Sequence, residues 1–431
     1  MKGLWSLMLR SHLILTGAVD LALVTLAMLS GILVARLLGP AGRGEYAVAI
    51  LWPSVIVALG TLGVREALTY EQARASYPPP MLVGTAMVLA GVQSILLVGL
   101  GWLLIPLLTN AQNPGVTHAS LLFLLVIPTN LVAQYGLGLL QGSLEISAFN
   151  ALRLTVSIFY LAAVLIIWLL DAATIWNLTL GLLVANACTA LATLTVVLRR
   201  IGIKLSVDIT LFRRILGYGL RNHVGSISSM LNQRADQMLM AILITPKQLG
   251  WYVVAVSVSS LTRLASNTFA TLTFPKVAGA TPTEQRRLTG LYSRLNAMTT
   301  LSLGLVLMLL IPGLVPLVYG REYSASIVPA EILVVATLFV AIGQAWAGSL
   351  RGLGRPSEPA KAEIISLVVT VVGLALLLKP LGIIGAALTS LAAYLVAAAY
   401  MYLQLRLHLA VGLRELLWPV SLATIRERLG T

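Results

Sequence analysis

Long apolar stretches alternate with short polar segments along the whole chain. Twelve stretches contain roughly 20 residues each, the length at which a helix crosses the hydrocarbon core of a bilayer. The connecting segments are too short to form a folded domain, so the pattern predicts an all-α polytopic membrane protein. The twelve predicted transmembrane helices cover residues 12–35, 45–64, 82–107, 119–140, 150–169, 174–198, 215–243, 250–274, 293–317, 330–350, 363–379 and 383–405.

Two short motifs occur twice, at nearly half the length of the chain. Residues 38–49 match residues 244–255 at an offset of 206, through the pairs Pro40 and Pro246, Gly44 and Gly250, Tyr46 and Tyr252, and Ala49 and Ala255. Gly138, Leu140 and Gly142 match Gly348, Leu350 and Gly352 at an offset of 210. A duplicated half in a very apolar chain is typical of a transporter with two lobes around a central cavity.

Six helices per half give both halves the same orientation, so the sequence predicts two parallel six-helix repeats. The predicted segments are an N-lobe over residues 1–198, a basic cytoplasmic linker over 199–214, a C-lobe over 215–410 and an amphipathic cytoplasmic tail over 411–431. In the tail, Arg414, Trp418, Arg426 and Arg428 predict a short interfacial helix with a basic face and an aromatic anchor.

The composition indicates that most of the protein surface is in contact with lipid. The chain is 58% hydrophobic and 10% charged, with a mean hydropathy of +0.93, values that are incompatible with a water-soluble domain of 431 residues. The lone cysteine, Cys188, excludes internal disulfides and Cys-based metal sites. The first apolar run is too long for a signal-peptide core, so we interpret it as a retained helix.

The distribution of Lys and Arg predicts the orientation of the chain in the membrane. With the N-terminus in the cytoplasm, 21 of the 29 basic residues lie inside, five lie outside and three lie within apolar runs. This asymmetry satisfies the positive-inside rule and predicts that both termini are cytoplasmic. The net charge of +14 is therefore mainly a consequence of topology, and no basic soluble module is present to bind nucleic acid.

Several ionisable residues lie inside the predicted helices, where charges are costly and usually functional. Helical spacing puts Asn232 and Asp236 on one polar stripe of helix 7 with Arg221, whereas His223 and Arg234 fall on the opposite side. In helix 8, Arg263 shares a face with Ser259, Ser260, Ser266 and Asn267. The two stripes predict a water-filled, cationic cavity wall that includes Arg221, Asn232, Arg263 and Asn267. Arg234 is a further candidate for contact with the cargo, although it lies on the other side of helix 7.

Structural alternatives exist for the same residues. Arg221 can extend to the cytoplasmic interface, and Arg234 can form a salt bridge with an acid on another helix, such as Asp20 in helix 1. Asp20 and Asp236 are also candidates for binding a coupling ion, Na⁺ or a proton. Catalytic carboxylate pairs, nucleophile–base sets, a Walker A motif and clustered histidines are missing from the sequence, so it predicts neither an enzyme nor a bound cofactor or metal.

The order of short motifs resembles the polysaccharide flippase family of the multidrug/oligosaccharidyl-lipid/polysaccharide superfamily. The matching segments are residues 35–40 with Gly44 and Tyr46, 59–64, Asp236 leading into 250–255, Pro275, 319–323, 352–356 and 381–387. The resemblance covers roughly residues 12–405 and rests on the order and spacing of these motifs in the twelve-helix pattern.

This resemblance implies a flippase of the bacterial inner membrane. Its cargo would be undecaprenyl-diphosphate-linked oligosaccharide, moved to the periplasmic leaflet by alternating access during polysaccharide biosynthesis. The implied partners are that lipid-linked oligosaccharide, membrane lipids and other polysaccharide-assembly proteins. Arginine suits a diphosphate because its planar fork contacts two oxygens and stays charged.

The alternative function is ion-coupled export of drugs by a member of the multidrug and toxic compound extrusion branch. Asp20 would then be the coupling carboxylate, and cationic drugs would need an acidic, aromatic cavity. The apolar runs contain more deep cations than deep acids, which favours an anionic cargo.

The predicted orientation can be tested by cysteine labelling of intact cells. A membrane-impermeant reagent is expected to label a cysteine introduced at Asn113, on the outside, and to leave one at Ser206, on the inside, unlabelled. The reverse pattern would overturn the orientation and the direction of flipping.

Overall fold

The computed structural model describes residues 2–109, 113–203, 208–263, 273–274 and 276–417, and within them the side chains from residue 15 onward except those of 221, 222, 224–226, 228 and 229. All regular structure in these ranges is helical. The α-helices are α1 (Lys2–Gly60), α2 (Val64–Arg74), α3 (Pro79–Leu108), α4 (Pro114–Phe123), α5 (Val126–Gly142), α6 (Ile146–Leu169), α7 (Ile175–Arg200), α8 (Ile209–Leu243), α9 (Pro246–Ser259), α10 (Pro282–Val318), α11 (Ile327–Gly352), α12 (Ser357–Leu409) and α13 (Leu413–Leu417). Short 3₁₀ helices cover Ser260–Thr262 and Arg321–Ser326.

Twelve spans follow from these helices, as predicted. Among the described residues, eight helical stretches are long and apolar enough to cross a membrane. Two of them, Leu15–Gly60 and Ser357–Leu409, are 46 and 53 residues long, and each is divided by a kink into two spans. The predicted run 215–243 corresponds to α8, and the run 250–274 begins with α9 and the 3₁₀ turn that follows it, while residues 264–272 of that run lie outside the described residues. The protein is therefore an all-α polytopic membrane protein.

The kinks lie at glycines whose backbone leaves the helical region. Gly39 in α1 has φ 64° and ψ 179°, and Gly382 in α12 has φ 54° and ψ −133°. Positive φ values favour glycine because it has no Cβ. Pro40 then begins the second segment of α1, where its missing N–H costs no hydrogen bond. The loops predicted over residues 36–44 and 380–382 are thus replaced by single-residue breaks.

The chain divides into two compact units. The first comprises Met1–Ile227 with Ala241–Gly250, and the second comprises Ser228–Met240 with Trp251–Thr431. Helix α8 therefore contributes residues to both units. The first unit contains α1 to α7, and the second contains α10 to α13. The lobe and linker boundaries inferred from sequence remain a prediction, and residues 204–207 of the linker, with the Ser206 labelling position, lie outside the described residues.

A short helix occupies a segment that the sequence predicts as a loop. In the first unit, α2 packs on α5, and its Glu71 is buried. The Glu71 Oε1 atom accepts a 2.7 Å hydrogen bond from Nε of Arg214 in α8. Tyr70 of α2 also stacks on Tyr218 of α8, with ring centroids 4.6 Å apart. Its ion pair and aromatic contact explain why so polar a helix is held against its neighbours.

In the second unit, the described part of the C-terminal tail packs on the helices before it. Leu416 of α13 is buried in a cluster with Trp346 and Leu350 of α11. Glu415 accepts two hydrogen bonds from Arg286 at the start of α10, at 2.6 and 3.0 Å. The predicted anchor residues Trp418, Arg426 and Arg428 lie outside the described residues.

The two copies of the first repeated motif contact each other within the first unit. A Cβ atom built on Gly44 would lie 1.8 Å from the carbonyl oxygen of Pro246, and one built on Gly250 would lie 1.9 Å from that of Pro40. The glycine of each copy of the motif therefore packs against the carbonyl group of the proline in the other copy. The glycines are required here because the two backbones approach too closely for any side chain.

Gly44→Ala is expected to destabilise the protein. The added methyl group would meet a backbone carbonyl that cannot rotate away, and such overpacking costs about 1–3 kcal/mol. The measurement is the midpoint of thermal unfolding of purified protein in detergent. Gly91→Ala in α3 is the matched control, because a Cβ there meets no atom within 4 Å. Equal midpoints for the two variants would show that the close approach is not needed for stability.

Candidate functional site

A cluster of polar side chains lies inside the second unit, and we call it the C-terminal polar cluster. Helix α8 supplies two members and α9 supplies one, a fourth directly follows the 3₁₀ turn, and the other four come from α12. Asn232 and Asp236 are four residues apart and therefore lie on the same face of α8. The members are Asn232, Asp236, Tyr252, Arg263, Glu363, Ser366, Ser390 and Tyr394.

Asp236 is a buried carboxylate with neutral hydrogen-bond donors. Its side chain is 6% exposed. The Tyr252 hydroxyl donates to Oδ2 at 2.7 Å, and the backbone N–H of Gln237 donates to Oδ1 at 2.7 Å. The Tyr252 hydroxyl also lies 3.4 Å from the Ser390 hydroxyl. Among the described side chains, no Lys or Arg lies within salt-bridge distance of Asp236. In the described part of the chain, its hydrogen-bond partners are therefore a hydroxyl and a backbone amide, and the charge of Arg234 acts on it from outside salt-bridge distance.

Asn232 links α8 to α12 in the same cluster. Its Nδ2 atom donates to Glu363 Oε2 at 2.7 Å and to the Ser366 hydroxyl at 3.1 Å. The Ser366 hydroxyl can in turn donate to Asn232 Oδ1, at 3.2 Å. Each polar atom of the buried amide thus has a partner, as the membrane interior requires.

Arg263 follows the 3₁₀ turn Ser260–Thr262. The turn is held by the hydroxyl of Thr262, which donates to the Ser259 carbonyl at 2.7 Å and lies 2.6 Å from the Thr337 hydroxyl of α11. The Arg263 side chain is half-buried, and its charge interacts electrostatically with Glu363 and Tyr394. A guanidinium and a carboxylate are therefore neighbours at this end of the cluster.

The remaining predicted residues are distributed differently. Arg234 is exposed and donates to Gln237 Oε1 on its own helix at 3.3 Å. His223 is buried in the first unit, with Nε2 3.0 Å from the Leu59 carbonyl oxygen. The side chain of Arg221 and the whole of Asn267 lie outside the described residues. The structure therefore brings together Asn232, Asp236 and Arg263, and it places Arg234 on a different face of α8.

Asp20 lies in the first unit and is distant in sequence from the residues of the C-terminal polar cluster. Its Oδ1 atom accepts a 2.6 Å hydrogen bond from Nη2 of Arg153 in α6, and the Asp20 side chain is 56% exposed. Arg153 and Arg65 both contact the ring of Phe149, at 5.4 and 6.0 Å from its centroid. Among the described residues, the salt-bridge partner of Asp20 is Arg153 and not Arg234.

Five members of the cluster were not predicted from the sequence: Tyr252, Glu363, Ser366, Ser390 and Tyr394. Glu363 was assigned to the edge of an apolar run, but α12 begins earlier, at Ser357. A signal was present, because Glu363, Ser366 and Thr370 repeat at spacings of three and four and so form a polar stripe on α12. Tyr252 was noted only as a repeated residue, and its function as a hydrogen-bond donor to Asp236 required the fold.

The profile of a family described as "Polysaccharide biosynthesis protein" matches residues 33–328. The chain belongs to this family. This polysaccharide biosynthesis protein is also 25% identical over 271 residues to a probable low-salt glycan biosynthesis flippase of Haloferax volcanii. That match covers 60% of this chain and 55% of the relative, so it spans little more than half of the relative's length. The family expected from the motifs is confirmed.

Solved structures share the fold of this polysaccharide biosynthesis protein. A lipid II flippase MurJ in an inward closed conformation has a TM-score of 0.76 at 15% identity, covering 91% of this chain and 87% of MurJ. An inward-facing multidrug resistance transporter of the MATE family in the MOP superfamily has a TM-score of 0.73 at 16% identity, covering 89% and 94% of the two chains. At these identities, the similarity establishes the fold.

Proposed function

We propose that the protein is a flippase that moves undecaprenyl-diphosphate-linked oligosaccharide from the cytoplasmic to the periplasmic leaflet by alternating access. The proposed location is the bacterial inner membrane, with both termini in the cytoplasm. The family match carries the proposal, and the name of the Haloferax relative, a glycan biosynthesis flippase, supports it. The proposed partners are the lipid-linked oligosaccharide, the surrounding lipids and other polysaccharide-assembly proteins.

Arg263 is the proposed contact for the cargo diphosphate. It is half-buried, and its charge acts on Glu363 of the C-terminal polar cluster, so its guanidinium lies among polar groups where an anionic cargo would be attracted to it. Arg221, Arg234, Asn232 and Asn267 are proposed as further cargo contacts. Of these, Asn232 lies in the C-terminal polar cluster, where its amide is hydrogen-bonded to Glu363.

Export of cationic drugs remains the second candidate, because the MATE transporter resembles this chain almost as well as MurJ does. That function would need Asp20 to be free for ion coupling. The salt bridge from Arg153 neutralises Asp20 and therefore favours the flippase.

Arg263→Ala is expected to lower the flipping rate by about tenfold or more. A charge-assisted hydrogen bond is worth about 1.5–3 kcal/mol, which corresponds to that factor in rate when it is lost in the transition state. Arg263→Lys keeps the charge without the fork and should retain partial activity. The measurement is the appearance of the host's undecaprenyl-diphosphate-linked oligosaccharide at the outer face of reconstituted vesicles, detected with an impermeant lectin.

Arg321→Ala is the control, since Arg321 is an exposed arginine outside the cluster. Normal flipping by a well-inserted Arg263→Ala protein would contradict the proposed diphosphate contact. Loss of flipping in both variants would show a general effect of removing positive charge.

Asp236 is the proposed coupling carboxylate, and Asp20 is the weaker candidate because Arg153 already neutralises it. Asp236→Asn keeps the shape and the Tyr252 contact but removes the charge that would attract Na⁺ or a proton. We expect flipping by this variant to lose its response to an imposed ion gradient. The measurement is the flipping rate with and without a Na⁺ or pH gradient, with Asp171→Asn, in the exposed turn after α6, as the control. An unchanged response in both Asp236→Asn and Asp20→Asn would disprove coupling through either residue.

A further inference from the structure

A pocket of about 230 Å³ lies inside the first unit, between the two segments of α1 and the helices α6 and α7. It is separate in sequence from the C-terminal polar cluster, and none of its lining residues belongs to that cluster. Arg43, Tyr46 and Tyr160 lie close together and form what we call the polar end of the pocket. Ser30 and Ser157 are its other polar lining residues. The remainder of the lining is mainly aliphatic and includes Val34 and Leu182.

Arg43 supplies an unused positive charge at the polar end. Its Nε atom is buried and has no hydrogen-bond partner in the described part of the chain. The guanidinium carbon lies 5.7 Å from the centroid of the Tyr46 ring, and no described carboxylate forms a salt bridge with Arg43. Glu45 is close in sequence but does not line the pocket. A buried donor on a cation is costly when it has no acceptor, so the pocket is suited to an anion.

Hydroxyl groups complete the set of donors. The hydroxyls of Tyr46 and Tyr160 lie 2.5 Å apart. Because one of them donates to the other, the second keeps its own proton free for a ligand. Ser157 precedes Tyr160 by about one turn of α6 and also lines the pocket, so its hydroxyl is a further donor. A guanidinium fork with two further donors matches a phosphate, which offers more oxygens than a carboxylate does.

We propose that this pocket binds the phosphate head of an anionic, membrane-embedded amphiphile. The charge and the donors hold the phosphate, and the aliphatic lining accommodates the start of the hydrocarbon chain. Drug-sized ligands usually occupy pockets of about 300–1,000 Å³, so a pocket of about 230 Å³ fits a head group with a short part of its chain. Two sources share this chemistry, a membrane phospholipid and a polyprenyl diphosphate. The proposal concerns binding alone and does not depend on the proposed transport.

Native mass spectrometry of the purified full-length protein in neutral detergent tests the proposal. The probes are phosphatidylglycerol, farnesyl diphosphate and the uncharged lipid diacylglycerol. We expect at least one phosphate amphiphile to bind the wild-type protein in preference to diacylglycerol. Preferential binding of phosphatidylglycerol would identify bulk lipid as the occupant, and displacement of it by farnesyl diphosphate would identify a prenyl diphosphate.

Two pairs of variants assign the binding to this pocket. Arg43→Gln is expected to weaken binding at least about tenfold, whereas Arg36→Gln, which removes an exposed charge from the same helix, should leave it unchanged. Gly31→Leu should block the pocket without altering Arg43, because Gly31 lines it and a Cβ there meets no atom within 4 Å. Gly17→Leu, on the same helix with the same open space, is the control for Gly31→Leu.

Thermal unfolding of each variant, measured on the same preparations, shows whether it is folded. The proposal is wrong if neither phosphate amphiphile is preferred over diacylglycerol. It is equally wrong if Arg43→Gln and Arg36→Gln bind with the same affinity, or if folded Gly31→Leu binds as tightly as Gly17→Leu.

Discussion

The hydrocarbon interior of a membrane offers no hydrogen bonds, so every polar group that enters it must find a partner within the protein. For the backbone, this requirement is met by helices that continue almost without interruption through the described part of the spans. The chain leaves helical geometry inside α1 and α12 only at Gly39 and Gly382, where the missing Cβ allows an otherwise strained backbone. The same requirement then determines where polar side chains can lie.

Two carboxylates satisfy this requirement in different ways. Asp20 is matched by the guanidinium of Arg153, which gives a pair with no net charge. Asp236 is matched by the hydroxyl of Tyr252 and a backbone amide, and no Lys or Arg among the described side chains forms a salt bridge with it. A neutral ion pair attracts a small cation weakly, whereas a carboxylate held by neutral donors attracts it more strongly. The two sites therefore differ in electrostatic character although both contain an aspartate.

The helices were largely predictable because hydrophobicity alone determines what lies in lipid. Asn232 and Asp236 were predicted to share a face because an i, i+4 spacing has that consequence in any helix. Pairing between distant residues was not predictable: Arg153 and Asp20 are 133 positions apart, and Arg214 and Glu71 are 143 apart. Helix α2 was missed because it is short and polar, so its stability depends on contacts with α5 and α8 and not on its own sequence.

The reciprocal contact between Gly44 and Pro246, and between Gly250 and Pro40, has a consequence for how such a chain can arise. Equivalent residues that touch equivalent residues form an isologous contact, the kind made by two identical subunits around a two-fold axis. In an ancestor with two separate copies of one repeat, a single mutation of that glycine would have added side chains to both sides of the contact at once. Joining such copies into one polypeptide would remove this doubling, because each side could then change by itself. The glycines persist on both sides because each carbonyl still occupies the space that a methyl group would need.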